Sequence, residues 1–452
     1  MANKNRRSAF TKALSFVDLS KIPGPRGIDY FHYVQFFQRD ILGAFTQVNK
    51  DYGDIGSFPW PMNSVIIYSP DFARRVLIEN HKAYVKGEQI EELRAVVGNG
   101  LATNNDYDSW LRSRTIIAKE FNSKAILSFN KNFERLCLDH IAHWKDHNEM
   151  DVCEEMKYLT FKIACDTLLG VNLSKEDAEK VNEAVHFTSL VTYERIFQFF
   201  PIPYWMPTKK NHEFHRHFNN LRTIVHTLIK NEKAQQNSNP SSVLERLVHA
   251  VDPETNDRLS DDELLDEILT MLLAGHETSA HSLTWTIGLL AKHQDIQEKL
   301  WKLTTENSLE NLPYLQWVMM ESLRLYPSFP VLSRKTAATD VLGPYTIPKN
   351  TNVVIPIYVM QRNAANFDQA DKFIPERFAS PEIQKSFAYL PFSKGPRKCI
   401  AEAFAMSEMA IIIYQLVQHF HFELVHEDLP QEVASVSLKP VGGMNIRAIK
   451  RK

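Results

Sequence analysis

Cys399 is the residue around which this sequence gathers its chemistry. It lies in the decapeptide Phe392-Ser393-Lys394-Gly395-Pro396-Arg397-Lys398-Cys399-Ile400-Ala401, a Gly/Pro loop that runs into an alanine-rich apolar stretch. A thiol at the end of a loop and the start of a helix meets free backbone N–H groups and the positive helix end, and both favour the thiolate. A loop with little side-chain bulk also lets a flat cofactor approach the sulfur, which is how an axial thiolate is presented to haem iron. A buried, inert cysteine beside a turn is the plainer alternative. Cys137, Cys153 and Cys165 form no C-x-x-C pair with it or with one another. Neither a disulfide framework nor a cysteine zinc site is therefore expected, and a reduced cytosol is the expected compartment.

A second constellation is Ala274-Gly275-His276-Glu277-Thr278-Ser279. Glycine inside a helix costs about 1 kcal/mol against alanine, and a threonine can bond back to a carbonyl and open the helix locally. A groove sized for dioxygen and a water is one reading; an ordinary polar kink is the other. His276 has no second histidine at i+4, so a metal pair is not indicated. Glu321-Ser322-Leu323-Arg324 places a carboxylate and a guanidinium on one helix face at i,i+3, ordinarily a solvated pair. Trp110-Leu111-Arg112-Ser113-Arg114 and the later Arg334 supply guanidinium forks that suit a carboxylate, although each arginine taken singly reads as surface charge.

These residues need long elements to hold them. Ser260-Asp261-Asp262-Glu263 has the form of a capping box, and the helical pattern behind it continues to about Lys292, roughly 33 residues and ~50 Å. Pro313 suits the first turn of another helix, stopped by Tyr326-Pro327. A last helix follows Cys399 from Ala401 to about Val417. Short strands are expected at 54–58 and 64–68, and residues 345–355 read as two short strands joined by a turn. Ile22-Pro23-Gly24-Pro25-Arg26-Gly27 is a rigid entry, and the polar run 234–242 is an exposed loop. No internal repeat points to a solenoid.

The chain of 452 residues, with 44% hydrophobic and 23% charged residues, has the composition of a folded protein, which excludes disorder of the whole. Lys plus Arg (52) nearly balance Asp plus Glu (54), so no global field draws it to nucleic acid or anionic lipid. Residues 1–25 lack the apolar stretch of a signal peptide or transmembrane anchor, so a soluble, cytoplasmic protein is expected.

The segment Phe392 to Ala401 resembles the haem-binding signature of the cytochrome P-450 family, F-x-x-G-x-R-x-C-x-G, through Phe392, Gly395, Arg397 and Cys399; Ala401 stands where the pattern has glycine. Glu321 and Arg324 match the family's E-x-x-R, Pro375-Glu376-Arg377-Phe378 its P-E-R-F, residues 274–279 its A-G-x-E-T-S/T, and Trp110 and Arg114 its W-x-x-x-R. The resemblance runs from about Pro23 to the C-terminus with the motifs in the family's order. It implies a mostly α fold with a smaller β-rich part: an N-terminal extension over 1–22, then one haem domain over 23–452. Haem b would lie between the long helix and the helix following Cys399, its axial ligand.

The further implications follow residue by residue. Trp110, Arg114 and Arg334 would hold propionates, with Ala274, Phe392 and Arg397 also against the cofactor. Arg377 would join Glu321 and Arg324 in a buried network, and Glu277 and Thr278 would relay protons during monooxygenation. The implied substrate pocket takes in Ile90, Leu93, Val96, Val97, Phe187, Leu190, Val191, Phe329, Val331, Leu332, Ser435 and Val436. Its apolar character suggests hydroxylation or epoxidation of a lipophilic molecule such as a fatty acid, terpenoid, polyketide, lipopeptide or other secondary metabolite. The loop 199–205 is a candidate lid that also touches membrane weakly. Electrons would come from a separate acidic ferredoxin or flavodoxin docking on Lys394, Lys398, Arg112 and Lys119, unless those charges are a solvated surface; a monomer is expected. A haem protein that binds ligand without turnover is the alternative, and it leaves Glu277 and Thr278 without a purpose.

Overall fold

The capping box at the head of the long helix forms as written. Ser260 Oγ accepts from Glu263 N, the Glu263 carboxylate accepts from Ser260 N at 2.8 Å, and the helix runs Asp261–Lys292. The protein is described here by a computed structural model covering residues 17–170, 175–196, 202–234, 241–252, 254–435 and 437–452. Val436, loop residues 199–201 and most of the polar run, 235–240, lie outside the described residues. The mostly α expectation with a smaller β-rich part holds, in two compact units.

The larger unit comprises Glu92–Phe329, Phe373–Ser380 and Ile400–Lys452. Its centre is the long helix, packed by Val152–Ala164, Lys209–Ala234, Pro313–Leu325 and Glu402–His419. From Ser279 to Ala291 every residue of the long helix is buried, so this half is enclosed on all sides rather than amphipathic. Its two threonine hydroxyls donate back into the helix, Thr284 Oγ1 to Ala280 O and Thr286 Oγ1 to Ser282 O, both at 2.7 Å. Trp285 stacks on Tyr326 at 3.9 Å between ring centroids and donates its indole N–H to Leu438 O, which ties the helix to the C-terminal segment. There Asn445–Lys450 runs between Asn148–Asp151 and Phe420–Leu424 in an antiparallel sheet.

The smaller unit comprises the chain up to Glu91, Pro330–Lys372 and Pro381–Cys399. Its sheet has the order Ile55–Phe58, Ser64–Ile67, Asn352–Ile355, Leu332–Thr336, Tyr84–Lys86, antiparallel except between the second and third strands. Phe37, Phe45 and Phe58 meet edge to face between the sheet and the first helices. Val17, Leu19 and Ile22 join the same core, so packing begins before the Pro23-Gly24-Pro25 entry.

Both strands in 345–355 form, but they are not partners: Tyr345–Ile347 pairs with Asp340–Leu342, whereas Asn352–Ile355 enters the five-stranded sheet. Asn350, at φ 70°, turns the chain, and Asn350 N and Thr351 N then both bond to Thr336, on O and Oγ1. Among the described residues no helix is long and apolar enough to cross a membrane.

Candidate functional site

In the smaller unit the thiol loop is closed by its own backbone. Cys399 N bonds to Phe392 O and Lys398 N to Gly395 O, both at 3.0 Å. Gly395 has φ 81°, and a Cβ there would lie 2.0 Å from Leu77 O, so both conformation and space demand glycine. Lys394 Nζ donates to Lys385 O and Ser386 O, pinning the loop's entry. Cys399 is the exposed thiol, whereas Cys137, Cys153 and Cys165 are buried. Burial pushes those three up to about 12, 11 and 12, which leaves them inert as ligands.

Arg334, on the strand Leu332–Thr336, is 4% exposed and donates Nη1 to Ser333 O. It has no ion-pair partner among the described residues. Burial, and then the nearby Arg397, bring it down to about 10. A buried guanidinium facing a second one calls for an anion. The donor set therefore fits haem, with a soft exposed sulfur for iron and a buried cation for a propionate.

In the larger unit the long helix is unbroken through 274–279, and Thr278 Oγ1 donates to Ala274 O at 2.7 Å. Ala274 is exposed, and a Cβ on Gly275 would meet only Leu168 Cδ1 at 3.7 Å. His276 is buried against Phe161 with Nδ1 3.1 Å from Leu272 O, a packed side chain. Glu277 keeps 14% of its side chain exposed, with His186 Nδ1 3.8 Å from Oε1. Burial pushes its carboxyl up, but the hydrogen bond from His186, joined by His276 and His281 once acid has protonated them, outweighs that and brings it to about 2. Thr278 and its neighbour are thus a hydroxyl and an ionised acid side by side.

The E-x-x-R pair is buried, not solvated. Glu321 and Arg324 are both 0% exposed, joined by Arg324 Nε to Oε2 at 2.7 Å and Nη2 to Oε1 at 2.9 Å. Arg377 Nε at 3.0 Å and Ile374 N at 2.9 Å reach the same Oε1, so Glu321, Arg324 and Arg377 meet at one carboxylate. Trp110 is buried in the helix Tyr107–Ala118, with the Arg114 guanidinium 5.5 Å from its ring centre. Of the proposed docking cations, Arg112 is paired with Glu263 at 2.8 Å and Lys119 donates to Val251 O.

The pocket candidates separate by environment. Val96, Val97 and Val191 are buried in the larger unit's core, with Phe187 packed against it. Ile90, Leu93 and Ser435 are partly buried, and Leu190 and Phe329 are exposed. Val331 and Leu332 pack on the smaller unit's core.

Sequence reasoning passed over four polar groups. Asp266 Oδ2 accepts Asn99 N and Glu267 Oε2 accepts Leu101 N, clamping the segment after Val97 to the long helix. Glu408 accepts from Ser279 Oγ at 2.9 Å, and burial raises it and Glu267 to about 8. His281, buried, has Nδ1 2.6 Å from Ser437 Oγ. Only His281, at i+4 from Glu277, carried a signal in the spacing.

The family model described as Cytochrome P-450 matches residues 22–444. The chain is 30% identical to the protein LUTEIN DEFICIENT 5 of Arabidopsis thaliana, over 86% of this chain and 71% of that one. It is 29% identical to cyclooctatin synthase of Streptomyces melanosporofaciens, over 76% and 77%. With cyclooctat-9-en-7-ol 5-monooxygenase of the same organism it shares 27%, over 81% of each.

Proposed function

The chain belongs to the cytochrome P-450 family and is a monooxygenase, and from that premise we propose that it hydroxylates or epoxidises a lipophilic small molecule, with electrons from a separate ferredoxin- or flavodoxin-type protein. The observation that carries this is the exposed Cys399 thiol on a loop that only glycine at 395 can form. Haem b is the cofactor that the family implies, and the Cys399 thiolate would hold its iron. Arg334, Trp110 and Arg114 would take the propionates, and Ala274, Phe392 and Arg397 would lie against the ring. When bound, the haem supplies activation of dioxygen, one atom entering the substrate and the other leaving as water.

The chain's own part is to place protons and keep bulk water away. Thr278 Oγ1 carries a hydrogen that it now donates to Ala274 O, and a small rotation frees it for a reacting oxygen. Glu277, held ionised, can take up a proton and pass it toward that hydroxyl. The aliphatic and aromatic side chains that the family resemblance assigns to the pocket would favour an apolar guest. A fatty acid, terpenoid, polyketide or other secondary metabolite fits, and one Streptomyces relative is named for an alkenol substrate, cyclooctat-9-en-7-ol. Residues 23–452 would act as one haem domain, in a cytoplasmic monomer.

The test is spectroscopic. Purified protein should hold one haem per chain, and its reduced carbon monoxide complex should show the red-shifted Soret band of thiolate ligation. Cys399→His should lose that band and monooxygenation together, whereas a histidine-type spectrum from the parent would remove the assignment. Titrating lipophilic compounds while following the ferric spin state identifies the substrate class.

A further inference from the structure

His281 has a position that the acid and hydroxyl pair does not explain. It lies one turn after Glu277 on the long helix, about 6 Å along the axis, on the same helix side. Only 2% of it is exposed. Its Nδ1 is engaged with Ser437 Oγ at 2.6 Å, whereas Nε2 is buried with no protein partner. Whichever tautomer it holds, one polar group of the ring needs a partner, and buried polar atoms rarely go without one. An internal water meets that need only where two to four polar groups converge.

Ser437 Oγ touches this ring, and charged or polar groups on three helices and the C-terminal segment act on it or on its neighbour Glu277. The helix Val152–Ala164 contributes Lys157, whose Nζ donates to Glu154 Oε1 at 2.8 Å and whose charge is felt at His276, Glu277 and His281. The helix Lys175–Ile196 contributes His186, 55% exposed, against Glu277. The long helix itself adds His276, and the C-terminal segment adds Ser437 and Lys439. Burial holds His281 well below the ordinary imidazole value, down to about 4, so near neutrality it is uncharged, with one donating and one accepting nitrogen.

Building on the proton-relay reading of Glu277, we infer that His281 is a positioning residue for that carboxylate: its buried Nε2 holds an internal water that bridges to Glu277 and keeps the acid oriented and supplied on its inner side. The site's ligand is water, and the chemistry is hydrogen bonding only. His186 then serves the acid from solvent and His281 from within.

The imidazole itself gives a readout independent of turnover. In the diamagnetic reduced carbon monoxide complex of the full chain, ¹⁵N spectroscopy should show His281, assigned by loss of its signal in His281→Gln, as a neutral ring with a hydrogen-bonded Nε2. That resonance should contact a long-lived water and should move in Glu277→Gln. Peroxide released per reducing equivalent, measured with a compound that shifts the spin state, should rise about threefold or more in His281→Phe, with an altered pH profile. His281→Gln, which can still bind a water, should stay much nearer the parent. An Nε2 resonance indifferent to Glu277→Gln and without a water contact overturns the inference, even if His281→Phe fails to fold. Equal coupling in parent and His281→Phe does so as well. If Glu277→Gln leaves coupling at the parent level, the relay reading itself has failed and takes this inference with it; if Glu277→Gln uncouples and His281→Phe does not, the inference alone has failed.

Discussion

Thr278 Oγ1 donates to a carbonyl, Ala274 O, that lies within an unbroken helix. Removing the hydroxyl leaves no buried donor or acceptor stranded, and alanine is the better helix former. Thr278→Ala should therefore fold and bind haem like the parent, which isolates its chemical role. We expect it to consume reducing equivalents at a near-parent rate but to release most of them as hydrogen peroxide, since 1.4 kcal/mol between two competing barriers changes their ratio about tenfold. Product and peroxide per electron are the measurements, and parent-level coupling would reduce Thr278 to a helix residue. At this scale the motif residues were legible because their spacing is fixed by one helix or one loop. What spacing does not carry is surroundings. Glu277 reads as an acid from sequence, but that it is held ionised depends on His186, which approaches from a distant helix. A second residue-level expectation concerns the thiols. In haem-free folded protein a small maleimide should label Cys399 alone, and the three buried cysteines, pushed up to 11 or 12, should react only on unfolding.

Between elements, the decisive contact joins the helix Pro313–Leu325 to the turn Pro375–Ala379. Glu321 gathers two guanidiniums and the Ile374 amide around one carboxylate in a site closed to water. Taking away one member of such a pair strands the other at a cost of about 3–5 kcal/mol, a large share of a typical net stability. Glu321→Ala and Arg324→Ala should each yield mostly haem-free, insoluble chain. Normal yield and haem content in both would mean the network is not needed for folding. The sequence alone showed that Glu321 and Arg324 share a helix face, and most such pairs are solvated. Arg377 came only through the P-E-R-F resemblance, because nothing local links it to a residue 56 positions away. The strands in 345–355 show the same limit. Alternation marks a strand, but the partner was set by Thr336, which captures Asn350 and Thr351 and sends the next strand into another sheet.

For the whole molecule, two buried acids, Glu267 and Glu408, make stability depend on pH, and neither was legible, since burial of a lone glutamate is a property of the assembled core. Glu267 and Glu408 have folded values near 8, raised by burial above the ordinary 4.5. Between those values the folded chain holds protons that the unfolded chain has released, so stability falls as pH rises through that window. Glu277 and Asp340, lowered to about 2, and His281, lowered to about 4, act in the opposite sense: the unfolded chain takes up protons first, so stability falls as pH drops from about 6.5. The two sets oppose each other between about 4.5 and 6.5, and only the glutamates act between about 6.5 and 8. There each can cost up to about 1.4 kcal/mol per pH unit. Glutamine keeps an acceptor for Leu101 N at 267 and for Ser279 Oγ at 408 but cannot ionise. The melting temperature of the parent should therefore fall by several degrees from pH 6.5 to 8, and that of Glu267→Gln/Glu408→Gln should change little. Equal slopes in parent and double variant would mean that both carboxylates are already ionised at pH 6.5, with water or a cation reaching them inside the fold.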